Sequence, residues 1–197
     1  MKQAIPLRPL VLTSVLALLP VLAHAHPGHS HFGFAAGAAH PVSGIDHILA
    51  MFAVGLWAVQ LGRRAVWAVP ASFVAMMTMG GALGMAGIPM PYVEQGIAVS
   101  VLLLGLLVAT ATRVPVAASM LLVSAFALFH GHAHGAEMPA SAQGFSYGAG
   151  FLVATALLHG SGIVTGLLAR KFAKETWLRA AGGGIVVCGC ALLLGWI

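Results

Sequence analysis

Between residues 34 and 196 the chain is a string of apolar runs about 20 residues long, closed by glycine, proline or basic residues. This pattern restricts the fold more than any other feature. In hydrocarbon an unpaired backbone N–H or C=O costs several kcal/mol, so a run of this length pairs its backbone internally and folds as a helix. A water-soluble alternative fails on charge. Only 7% of the residues are Asp, Glu, Lys or Arg, against about 25% in soluble domains. The expected fold class is all-α, a polytopic membrane helix bundle.

Residues 1–25 read as a separate segment. Lys2 and Arg8 make a basic start, residues 10–22 an apolar stretch, and Ala23-His24-Ala25 a small-x-small cleavage site. The stretch is short for a span, contains Pro20 and gives way at once to polar residues. A cleavable signal peptide is therefore expected rather than a first helix. The domain organisation is a signal peptide at 1–25, then a six-helix transmembrane domain at 26–197 with a short periplasmic tail. Spans are expected at about 34–61, 66–86, 93–111, 116–134, 145–169 and 177–196, with a polar loop at 135–144. Pro41 and Gly44 argue that the first span is broken.

Charge placement supplies an independent orientation. With the mature N-terminus outside, the inner loops hold Arg63, Arg64, Arg113, Arg170, Lys171 and Lys174, and the outer loops hold no Lys or Arg. The positive-inside rule thus predicts a multi-pass protein of a bacterial-type inner membrane with both termini periplasmic. Most of the basic residues sit in short span gaps and form no phosphate-contacting patch, so lipid and not nucleic acid is the expected neighbour. Trp57, Trp67, Trp177 and Trp196 fall near span ends, as interfacial anchors do. Glycines at 80, 81, 84, 148, 150 and 182–184 are expected to let helices approach closely. Met76, Met77 and Met79 do not share a helical face and read as packing, as do Cys188 and Cys190.

Ten histidines exceed the four acids. An ionisable group in a span is costly unless it faces a cavity or a partner, and here such groups cluster. The first span holds His40, Asp46 and His47 around its break, where backbone and side chains can turn toward one point. The fourth span ends with His130, His134 and Glu137, whose i, i+4, i+7 spacing makes one stripe. Both groups lie near the outer ends of their spans and can meet. Nitrogen and oxygen donors in this mixture suit nickel, cobalt or zinc and are too nitrogen-rich for magnesium or calcium. His132 points elsewhere on the same helix. His26, His29 and His31 in the mature tail either gather metal or are merely a His-rich loop. His159 is a relay or a helix-packing hydrogen bonder. Glu94 is a mouth charge that draws cations or an acid favoured by a helix N-terminus.

The run His40-Pro41-Val42-Ser43-Gly44-Ile45-Asp46-His47 and the run Phe129-His130-Gly131-His132-Ala133-His134-Gly135-Ala136-Glu137 together resemble the paired signatures of the HupE/UreJ family of nickel and cobalt permeases. The resemblance extends over nearly the whole mature chain. It implies secondary uptake of Ni2+, or of Co2+, often in supply of nickel to hydrogenase or urease; no prosthetic group is expected, and nickel-enzyme maturation proteins are the expected partners. It implies that His40, Asp46, His47, His130, His134 and Glu137 are the transport residues, and it places His132 at a variable position. No G-x-x-x-x-G-K-[ST] phosphate loop occurs, so ATP hydrolysis is not expected. Histidine ligation needs neutral imidazole, so acid should weaken binding. Two other classes remain open at this stage: a metal-binding accessory or sensor, and an intramembrane metalloenzyme.

Overall fold

A computed structural model describes residues 33–138, 142–172 and 175–197. The expected signal peptide, His26, His29, His31 and Lys174 lie outside the described residues. Within them the chain is helical, with no strand.

The first expected span is two pieces. A short helix α1 (Phe34–Ala39) runs into a 3-10 turn (His40–Val42), and α2 (Ile45–Leu61) leaves it at a bend of 80°. Pro41 has no N–H to continue the helix, and Gly44 is extended (φ −100°, ψ 122°). The break frees the His40 carbonyl, which accepts from Ser43 Oγ at 2.6 Å and from Ser43 N–H at 3.0 Å. Five helices follow, each long and apolar enough to cross a bilayer: α3 (Ala65–Met85), α4 (Val93–Thr110), α5 (Val116–Glu137), α6 (Ala142–Phe172) and α7 (Glu175–Leu193). The polar loop expected at 135–144 is mostly helix, because α5 runs on to Glu137 and α6 starts at Ala142. Gly135 does not end α5, since it is packed against the backbone of α3.

The bundle is built around α2. Every residue from 53 to 60 is buried, and α2 touches α3, α4 and α6. The broadest contacts are α3 on α5 and α4 on α7. Small residues make both possible. An added Cβ at Gly80 or Gly84 would stand 2.4 Å from a carbonyl oxygen of α5, and one at Gly182 would stand 2.4 Å from Ala109 N on α4. Gly150 likewise lets α6 meet α1. Gly148 makes only ordinary contact, and Gly183 and Gly184 face open space, so those glycines do not serve close approach.

Trp57 corrects another expectation. It is fully buried and donates Nε1–H to Thr112 O at 2.9 Å. Because α2 is central, its C-terminal end is covered by protein, and a tryptophan there belongs to the core. Trp67, Trp177 and Trp196 are exposed, as anchors would be. Met77 is buried and packs as expected, whereas Met79 is exposed and fills no space between helices. Cys190 is also exposed, so only Cys188, half-buried, fills space between helices.

The two ends of the bundle differ in chemistry. At one end Gln60 donates to Val108 O, Arg170 to Val59 O and Arg179 to Ala109 O. These satisfy carbonyls at the C-terminal ends of α2 and α4, where positive charge is favoured. The opposite end carries the start of α2, the start of α4 and the end of α5, and with them the histidines and carboxylates.

Candidate metal centre

Asp46 and His47 occupy the first turn of α2. Asp46 Oδ1 accepts the His47 backbone N–H at 2.9 Å and lies 3.0 Å from His47 Nδ1. A carboxylate this close favours the proton on Nδ1, which leaves the Nε2 lone pair for a metal. This is the carboxylate–imidazole pairing that orients metal-binding histidines. Gly44 makes the room: a Cβ there would stand 2.6 Å from Asp46 Oδ1.

On α5, His130, His134 and Glu137 form the expected stripe. The glycines that follow each histidine lie on the adjoining stripe. An added Cβ would stand 2.0 Å from Met77 O at Gly131 and 2.1 Å from Gly81 O at Gly135. This glycine seam seats α5 on α3, and in doing so it fixes the rotation that turns His130 and His134 toward α2.

The imidazoles then meet as a ladder of edge-to-face rings. Centroids are 4.5 Å apart for His40–His134, 4.2 Å for His134–His47 and 4.6 Å for His47–His130. His134 Nε2 is in hydrogen-bond contact with His47 Nε2. Burial deepens along the ladder, from half-buried His40 and His134 to His47 at 4% and His130 at 0% exposure. His40 Nε2 stands 4.0 Å from Glu137 Oε2. His40, His134 and Glu137 each offer a ligand atom within 4.8 Å of the others.

A cavity of about 300 Å³ opens over this group. Asp46, Glu94 and Glu137 line it, three of the four acids in the chain, and no Lys or Arg does. With neutral imidazoles the lining is strongly negative, which concentrates cations. Glu94, in the first turn of α4, is thus both a helix N-terminal acid and a charge at the mouth.

Two histidines of the sequence lie elsewhere. His132 turns away from the cavity, and its Nε2 donates to Ile88 O at 2.7 Å. His159 is buried on α6 against Phe73. Other contributors were not singled out in the sequence. Ser100 holds His130 Nε2 at 2.8 Å, Phe151 packs 4.7 Å from the His134 ring, and Tyr147 packs 5.8 Å from the His40 ring. Ser100 left one signal, a hydroxyl in an otherwise apolar stretch of α4.

A family model described as "HupE / UreJ protein" matches residues 14–192. The chain is 49% identical over 188 residues to "Protein HupE" of Rhizobium leguminosarum bv. viciae, covering 94% of this chain and 97% of that protein. No solved structure matches. The match spans both signature runs and every helix that carries them, and it sets aside the metalloenzyme alternative, because the family is one of transporters. On this extent of similarity, the chain belongs to the HupE/UreJ family.

Proposed function

We propose that the chain carries a divalent transition metal inward across a bacterial-type inner membrane, Ni2+ first and Co2+ as the alternative, by secondary uptake without ATP. The observation that carries this reading is the shared cavity: three of four acids line one opening together with His40 and His47 of one sequence run and His134 of another. Neutral imidazole with carboxylate suits these metals.

The bent α1–α2 pair counts as one span, which makes six with α3 to α7. The signal is removed after Ala25, and His26, His29 and His31 then collect ions on the periplasmic side. Glu94 and Glu137 draw the ion in. His40, His134 and Glu137 take over part of its hydration, and Asp46 holds His47 ready to bind next. Two charges moving through 100 mV release about 4.6 kcal/mol, roughly a thousandfold accumulation at full coupling. The cargo then passes to nickel-enzyme maturation proteins.

The test is uptake of radiolabelled Ni2+ into proteoliposomes under an inside-negative potential, wild type against His47→Ala, with Co2+, Zn2+ and Mn2+ as competitors. Potential-dependent uptake lost in His47→Ala is expected, and the competitor order ranks the metals. Binding without uptake would move the protein to the accessory or sensor class.

A further inference from the structure

His159 takes no part in the cavity, yet its environment is that of a ligand. It is 2% exposed, and its Nδ1 stands 2.8 Å from Thr155 O. A carbonyl only accepts, so Nδ1 carries the proton and Nε2 keeps a lone pair. That Nε2 is buried with no hydrogen-bond partner. Leaving a buried acceptor unmet costs about 1–3 kcal/mol. A histidine serving only to hold helices together has no use for that second nitrogen.

His130 is in the same condition by a different route. Its Nε2 is 2.8 Å from Ser100 Oγ, which is also 2.6 Å from Ile97 O. Ser100 has one hydroxyl proton, and the carbonyl can only accept it. The Ser100 oxygen therefore accepts from His130, Nε2 is the protonated nitrogen, and Nδ1 is bare. Nδ1 is likewise buried without a partner. In both residues one nitrogen is tied to a protein acceptor and the other is left open, the arrangement that orients metal-bound histidines. Both rings pack against the buried ring of Phe73, at centroid distances of 5.7 Å and 5.1 Å.

We propose that His130 Nδ1 and His159 Nε2 form an inner metal station that receives the ion from the outer cluster. The proposal rests on the transport reading above. Its chemistry suits a second stop. The outer site has three carboxylates about it and attracts a hydrated cation. The inner site offers neutral nitrogens alone, so it holds a divalent ion more weakly and lets it leave, as conduction through successive sites requires. His47 and His130, in ring contact, make the step between them.

The test uses the full chain, purified and reconstituted, with radiolabelled Ni2+ as probe. His159→Asn keeps an N–H for Thr155 O and removes the ring nitrogen that would bind. Equilibrium binding of Ni2+ reports the outer cluster and the fold; uptake reports passage. The expected result is binding within about twofold of wild type and uptake lower by about tenfold or more, since only passage needs the inner station. Normal uptake by His159→Asn would overturn this proposal alone. Loss of binding together with uptake would make His159 a packing residue and overturn it as well. Wild-type protein that binds nickel but moves none would overturn the transport reading, and the inner station with it.

Discussion

Replacing Gly131 by alanine tests how helix packing sets ligand position. The added Cβ would stand 2.0 Å from Met77 O and 2.8 Å from Met77 C, where ordinary contact begins at 3.4 Å. Both atoms are backbone, so no side chain can swing aside, and α5 must lift from α3 by about 1.4 Å. His130 and His134 move with α5, while His47 stays on α2. Metal–ligand distances tolerate about ±0.2 Å, so the displacement is several times what a shared ion can absorb. Misplacing a reacting group by about 1 Å costs on the order of a hundredfold in rate, and we expect a fall of that size in nickel uptake at subsaturating metal. Overpacking of this kind also destabilises by about 1–3 kcal/mol, so uptake is normalised to folded protein recovered in detergent. Gly183→Ala is the control, because a Cβ there meets nothing within 4 Å. Uptake by Gly131→Ala equal to that of Gly183→Ala would refute the reasoning and show that the α3–α5 spacing does not position the histidines.

Three further outcomes are expected. His132→Ala should leave the metal preference of uptake unchanged and lower stability by about 1–2 kcal/mol in a detergent unfolding titration, because the lost bond to Ile88 O leaves a partly buried carbonyl unmet. Glu94→Gln should raise the half-saturating nickel concentration several-fold at low salt, and the difference should shrink as ionic strength rises, since a charge at the mouth acts through a screened field. Trp57→Phe should cost about 1–3 kcal/mol through the lost bond to Thr112 O and the space left in the core, whereas Trp67→Phe on the exposed face should be nearly neutral in the same thermal melt.

Much of the fold was legible because lipid imposes few solutions on a chain. Run length gave the helices to within a few residues, and Pro41 with Gly44 gave the break in the first span. The meeting of the two histidine runs was legible too, because spacing placed each set of side chains on one face near the same end of the bundle. What failed was information about neighbours. Trp57 reads as an anchor from its place near a span end, and only the central position of α2 makes it core. Gly131 and Gly135 have no role that the motif itself displays, and only the path of α3 shows that they seat the helix. Gly135 also looks like a helix stop, so α5 was expected to end too soon. Ser100 and Phe151 approach the histidines from other helices, at sequence separations that no local pattern reports.

The bend in the first span has an electrical consequence. The 17-residue α2 rises about 25 Å, less than the roughly 30 Å thickness of a bilayer's hydrocarbon core. Asp46 and His47 sit on its first turn, and α1 bends across what remains. On the proposed topology an ion in the outer cluster has crossed little of the insulating layer, and nearly all the voltage falls between that point and the cytoplasm. Arrival then spans a short electrical distance and departure a long one. Hyperpolarisation should raise the maximal flux and leave the half-saturating concentration almost where it was.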